Sequence, residues 1–274
     1  MKPSPAVDTA RTVVLIIFAA AVLLPFASVI LSALHPAGSA VGGLALPPQL
    51  AFENFATAWE KGRFSQLMGS SLLVALCVVP LTIAFSTLAG FALAVLRPRG
   101  SRWISVAFIL GLTLPTELVV VALYYNLSAM GLVNTHVGVI LAEIALFLPF
   151  GVYWMQTHFA SLPRELVESA RIDGARDLIV LLKILLPISG PALTTIAVLF
   201  FMWSWNQFLL IIVLIQDPSR RTAPAGLGYF VGEHSTDVPL LAAASILVTI
   251  PIVIVYLVFQ RSFVSGITQG AIKG

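Results

Sequence analysis

The stretch "LPRELVESARIDGARDLIVLLKILLP", residues 162–187, carries four basic and four acidic side chains. The chain around it is nearly all apolar: 59% of its 274 residues are hydrophobic and 10% are charged, against about 25% charged in a soluble domain. One soluble core cannot hide that much apolar surface, so the chain reads as an all-α, polytopic membrane protein. Eight charges cannot stay in hydrocarbon, so the stretch must project from the bilayer and separate the spans before it from those after it. A net charge of +3 is too small to point to nucleic acid. The lone cysteine, Cys77, can form no internal disulfide, and the four histidines lack metal-ligand spacing.

Working outward, six runs are long and apolar enough to span: residues 12–34, 70–96, 103–127, 136–155, 191–216 and 240–259. The apolar segment 178–186 is too short and is interrupted by Lys183, which suits a helix at the interface. Six spans put both termini on one side. With the termini inside, that side holds eleven basic residues (Lys2, Arg11, Arg97, Arg99, Arg102, Arg164, Arg171, Arg176, Lys183, Arg261, Lys273) and the other side four (Lys61, Arg63, Arg220, Arg221). The imbalance predicts cytoplasmic termini and a cytoplasmic insert. The first run is longer than a signal-peptide core and has no evident cleavage site, so an uncleaved anchor is expected. Prolines inside the runs, at 25, 80, 115, 149 and 251, are read mainly as packing kinks.

Within the insert, Ser161 is expected to cap a helix with Pro163 in its first turn. Arg164 to Ile172 makes about two turns, on which Glu165, Glu168 and Arg171 share a face and Leu166, Val167 and Ala170 form a smaller apolar side. Asp173-Gly174 breaks the helix. A second helix is expected over Ala175–Leu185, ended by Pro187. Local physics leaves two readings, a solvated loop with balanced charge and an interface helix.

The residues themselves carry a resemblance. "ELVESARIDGA" followed by "ILLP" resembles the EAA loop in the membrane subunits of ABC importers, with Glu168, Ser169 and Ala170 at the Glu-Ala-Ala positions, then Gly174, Leu186 and Pro187. Ser169 departs from the usual alanine but is equally small. The fuller pattern, with Pro163, Glu165, Asp173, Ala175 and Pro191, resembles the carbohydrate-uptake branch. "GLVNT" (131–135), "WNQF" (205–208) and "FQRSFVSGITQGAIKG" (259–274) are likewise similar to MalG-type sugar permeases, and the likeness runs from about residue 50 onward.

The resemblance implies one transmembrane domain over residues 1–274 with a cytoplasmic coupling loop at 157–189. Its short helix would dock into a cleft on an ATPase subunit, through Pro163, Glu165, Glu168, Ser169, Ala170, Asp173, Gly174 and Pro187. It also implies a homologous permease partner, two ATPase subunits, an extracytoplasmic substrate-binding protein, and a place in the cytoplasmic (inner) membrane. ATP and Mg would sit on the partner subunits, with no cofactor on this chain. The chain has no Gly-Lys dipeptide and hence no Walker A phosphate cradle, and no HExxH, GxSxG or CxxC. It is not expected to be an enzyme.

Polar groups inside the runs mark a candidate path. Glu117 and Tyr124 fall on one face, as do His136 and Glu143. Each acid has a structural reading, as a buried hydrogen-bonded group, beside the cavity-facing one. Trp203, Asn206 and Gln207, at i, i+3 and i+4, would offer an apolar ring beside amides, the chemistry a sugar needs. The other reading is a core or lipid-facing tryptophan. The expected function is half of an alternating-access path for a sugar or polyol. The rivals are a permease for glycerol phosphate or a polyamine and an ATP-independent secondary transporter. No run interior carries Lys or Arg for a phosphate, and no inverted repeat is evident.

Overall fold

The computed structural model describes residues 5–232 and 236–271, with side chains over 11–232 and 236–260. Helices dominate: α1 (Pro5–Ala33), α2 (Glu53–Lys61), α3 (Phe64–Leu96), α4 (Ser101–Thr113), α5 (Thr116–Ala129), α6 (His136–Ser161), α7 (Glu165–Ile172), α8 (Asp177–Ile188), α9 (Gly190–Trp205), α10 (Leu209–Leu214) and α11 (Val238–Ala271). Among the described residues the only β pairing is one bridge, Val231 with Thr236. Four uninterrupted helices are long and apolar enough to cross a membrane, and two bent pairs, α4–α5 and α8–α9, raise the number to six. The fold is all-α with six spans.

The chain divides into two compact units. The first lies within Met1–Ser65 and Gly226–Ile250. Its α2 is held by buried Asn54, whose side-chain amide donates to the carbonyls of Ala33 (2.8 Å) and His35 (2.7 Å) at the end of α1 and just beyond it. Phe64 stacks on Phe230 at 6.4 Å.

The second unit, within Gln66–Ala225 and Pro251–Gly274, packs α3, α6, α9 and α10 around Val78, Val139, Ile196, Phe200 and Leu210, all fully buried. Small residues let α3 and α6 meet closely. A Cβ on Gly90 would lie 2.7 Å from the Met155 Cβ and 2.8 Å from the Gln156 amide, and one on Gly151 would strike the Ser86 hydroxyl. Gly90 meets Met155 and Ser86 meets Gly151, so the two helices run parallel, as the second and fourth of six spans must.

Three expectations from sequence need correction. The run 103–127 is two helices, α4 and α5, bent by 105°. Leu114 takes an extended ψ of 126°, the conformation that the proline ring at 115 favours for the residue before it. Pro25, Pro80, Pro149 and Pro251 do stay inside helices. The run 191–216 is also interrupted: α9 stops at Trp205 and α10 starts at Leu209. The second insert helix is Asp177–Ile188 rather than 175–185; it keeps Pro187 inside and ends at Ser189, where the chain bends 79° into α9. Its middle, Val180–Leu185, widens to π turns. The last helix continues past Phe259 to Ala271; positions 272–274 of the tail lie outside the described residues.

Candidate functional site

The insert forms a built corner. α7 buries Ala170 in the core and exposes Glu165, Glu168 and Ser169, with Ile172 86% exposed. Ser161 does not cap it. That residue ends α6 and donates to the His158 carbonyl, while Arg164 occupies the α7 cap without a side-chain bond. Pro163 stands one residue further out, its carbonyl accepting from the Leu166 amide. The far end of α7 explains Gly174. Its amide bonds the Arg171 carbonyl (3.0 Å) and the Ala175 amide bonds the Ala170 carbonyl (2.9 Å), the paired closure of a helix that turns left-handed. That turn needs the φ of +80° at Gly174. Arg171 then bridges to Asp177 at 2.9 Å, joining α7 to the start of α8. Both partners are about half exposed, so the pair orients the corner more than it stabilises it.

Sequence reasoning missed the elbow that joins this corner to the membrane helices. Buried Ser189 donates to the Leu185 carbonyl (2.6 Å), so its oxygen is left to accept from His158 Nε2 at 2.9 Å. The Trp154 indole donates to the Ala192 carbonyl at 3.2 Å. Two α6 side chains thus grip the bend between α8 and α9. The signal was the run Pro187-Ile188-Ser189-Gly190-Pro191, too rich in breakers for a straight entry into a span.

The "GLVNT" segment is a brace. Gly131 and Asn134 take φ of +70° and +63°, and Thr135 caps α6 by accepting from the Gly138 amide. Asn134 donates its amide to the Leu214 carbonyl (2.7 Å) and accepts from the Asp217 amide (3.0 Å). His136 Nε2 bonds the Arg220 carbonyl at 2.9 Å, so this histidine serves the brace.

Of the candidate path residues, the structure gathers one group on α6 and α9. Glu143 is fully buried, the Ser204 side chain is its polar neighbour, and neither has a hydrogen-bond partner within 3.5 Å. Trp203 packs edge-on against Phe147 (5.5 Å) and Phe150 (5.0 Å), tilts over Phe200 (5.7 Å), and remains 38% exposed. The expected Trp203–Asn206–Gln207 helical face is cut by the end of α9. Asn206 donates to the Met202 carbonyl at 2.8 Å, closing α9, and Gln207 accepts from the Leu210 amide at 3.4 Å, opening α10. Glu117 is exposed in the first turn of α5, and Tyr124 meets Tyr125 edge to face at 5.7 Å. No hydrogen bond or ring contact among the described residues joins these two to the Glu143–Trp203 group. Among the described residues no cluster of His, Cys, Asp or Glu is placed to hold a metal.

Six apolar spans and a charged two-helix corner mark a polytopic membrane protein. The family described as binding-protein-dependent transport system inner membrane component matches residues 86–269. The arabinooligosaccharides transport system permease protein AraQ of Halalkalibacterium halodurans is 31% identical over 100% of this chain and 99% of its own length. The trehalose/maltose transport system permease protein MalG of Thermococcus litoralis is 35% identical over 77% of this chain and 76% of its own. The crystal structure of a bacterial ABC transporter involved in the import of the acidic polysaccharide alginate contains a chain that superposes with a TM-score of 0.82 at 21% identity, covering 96% of this chain and 99% of that one. That last likeness speaks for the fold alone. The chain belongs to the binding-protein-dependent inner-membrane permease family, and its activity is transport as a permease subunit of an ABC importer.

Proposed function

We propose that this subunit forms half of an alternating-access path for an oligosaccharide or related polyol. It works with a homologous permease, two ATPase subunits that hold ATP and Mg, and an extracytoplasmic binding protein. Its termini and the 157–189 loop lie on the cytoplasmic side of the inner membrane, where eleven of the fifteen basic residues fall. Relatives that bear the names of arabinooligosaccharide and trehalose/maltose systems support the substrate class. A half-exposed Trp203 ring, held edge-on by Phe147 and Phe150, suits the C–H faces of a sugar ring.

One observation carries the coupling reading: α7 presents Glu165, Glu168 and Ile172 to solvent from a corner fixed by Gly174. A solvated loop needs neither an 86% exposed isoleucine nor a closed helix end. Docking this face in an ATPase cleft covers the isoleucine, and the elbow at His158 and Ser189 passes the ATPase motion to α6 and α9. Pro163, Ser169, Ala170, Asp173 and Pro187 shape the corner. The test is co-purification of the ATPase with the permease pair, with labelled-oligosaccharide uptake in parallel. An Ile172→Asp chain that keeps both overturns the docking reading. A cognate binding protein that ignores a panel of oligosaccharides overturns the substrate class.

A further inference from the structure

A groove of about 150 Å³ opens beside α7 and shares Glu168 with the docking surface. Ala94 and Arg97 line it from the end of α3, Phe159 from the end of α6, and Arg164, Glu168 and Arg171 from α7. Three arginines and one glutamate thus line it. Arg171 is already bridged to Asp177. Arg97 and Arg164 have no acidic partner within 4.0 Å among the described residues, whose ion pairs are Arg171–Asp177 and Arg220–Asp217.

Arg97 is held in place. It closes α3 at a φ of +49°, a left-handed conformation uncommon for a residue with a Cβ. Its amide bonds the Ala92 carbonyl (2.9 Å) and its Nε donates to the Ala94 carbonyl (2.9 Å). The two Nη groups remain to meet something else. The groove also has a defined depth. Phe64–Leu96 and His136–Ser161 are two of the spanning helices, and Arg97 and Leu162 are the next residues after each. Both spans end at the groove, so it sits at the level of lipid headgroups. Its volume is enough for a phosphate group. The guanidinium fork matches phosphate oxygens in pairs.

We propose that this groove binds the phosphate of an anionic phospholipid in the leaflet next to α7, with Arg97 and Arg164 as the donors. A free phosphate ester offers the same oxygens, and the two sources are separable. Occupancy braces α7 against the end of α3, so the lipid stiffens the lever through which the ATPase acts. Glu168, on the same wall, opposes the bound anion.

The test uses the complete importer complex in detergent. Retained phosphatidylglycerol and phosphatidylcholine are counted by native mass spectrometry, and radiolabelled inorganic phosphate by equilibrium dialysis. Asparagine tolerates a positive φ, so Arg97→Asn removes the charge while keeping the turn. The wild type should retain phosphatidylglycerol over phosphatidylcholine, with about tenfold weaker retention in Arg97→Asn, the scale of one hydrogen bond to a charged group. Arg97→Lys, which keeps the charge without the fork, should fall between wild type and Arg97→Asn, Glu168→Gln should raise the affinity, and Arg99→Asn, outside the groove, should leave it unchanged. Equal retention by wild type and Arg97→Asn overturns the proposal. So does an equal loss in Arg99→Asn, which would indicate diffuse electrostatics. Phosphate binding that depends on Arg97 without any phosphatidylglycerol preference keeps the phosphate site and overturns its lipid source. Loss of the ATPase subunits with lipid retention intact makes the groove a protein contact and overturns the proposal as well. Should Arg97→Asn fail to accumulate, Glu168→Gln decides, and no gain in phosphatidylglycerol retention counts against the site.

Discussion

The insert around α7 and the interrupted stretch from α9 to α10 both break an apolar chain, by opposite means. The insert breaks it with charge, and its polar groups point to solvent. The α9–α10 break uses two amides and a serine, and it closes on itself. Asn206 and Gln207 satisfy the helix ends they separate, while Ser204 is buried beside Glu143. A lipid-embedded chain can expose charge only outside the hydrocarbon, so a charged break advertises itself. A break inside the bundle must satisfy its backbone internally, and short polar side chains suffice for that. The first is a lever exposed to a partner; the second is a shaped interior.

Opposite membrane sides are the largest difference to test. In a Cys77→Ser background, cysteines at Arg99 and Ala175 should react with an impermeant thiol reagent only from the cytoplasm, and one at Arg220 only from outside. The effect is all or none. Reversed labelling would place the insert outside and end its reading as a lever.

Within the insert, direction and surface can be separated. Glu168→Lys keeps the corner and reverses a surface charge. Losing one partner of a desolvated interface pair costs about 2–5 kcal/mol, so uptake should fall by roughly 30-fold or more. Gly174→Val leaves the surface intact and forces a β-branched residue to the φ of +80°, a strain of about 1–3 kcal/mol. A Cβ there meets nothing within 4 Å, so crowding is no part of the effect. Both proteins should insert and accumulate while the ATPase co-purifies poorly. A compensating reversal in the ATPase cleft should rescue Glu168→Lys and leave Gly174→Val inactive. Rescue of both would mean that Gly174 has no aiming role.

The α9–α10 region should respond more weakly. Trp203→Ala removes the ring that meets Phe147, Phe150 and Phe200, and uptake should drop about tenfold with the complex assembled, one ring-stacking contact being worth about 1–3 kcal/mol. Asn206→Ala loses its bond to the Met202 carbonyl, worth about 1 kcal/mol, and should lower the melting temperature before it lowers uptake. If Asn206→Ala abolishes uptake at unchanged stability, the amide touches solute and the break is more than a structural closure.

What was legible in the sequence follows the same division. Span number, the charged corner and the left-handed turn at Gly174 could be read because periodicity, charge and glycine each carry one strong local meaning. The break at Asn206 could not, because "WNQF" is short and its amides act on neighbours three and four residues away. The 105° bend at Pro115 could not either: prolines at 25, 80, 149 and 251 stay inside helices, and only tertiary packing decides which one breaks. The grip of His158 on Ser189 joins residues 31 apart, a distance that no local pattern spans.

The smallest effect belongs to the one departure from the family pattern. Ser169 stands where the EAA pattern that this loop resembles has alanine, and its hydroxyl donates back to the Glu165 carbonyl at 2.7 Å, one turn earlier. A serine bonded in this way offers its surroundings little more than an alanine does, because its polar hydrogen is already used within the helix. Back-bonding of this kind slightly weakens and bends a helix, and alanine has the higher helix propensity by up to about 0.7 kcal/mol. Ser169→Ala should therefore shift stability by less than ~1 kcal/mol, in the stabilising direction, and leave uptake and ATPase retention at wild-type levels. The measurement is a thermal melt of the purified complex beside an uptake assay. A marked loss of uptake would show that the hydroxyl itself bonds the ATPase, and the docking face would then extend from Glu165, Glu168 and Ile172 onto the Ser169 side of α7.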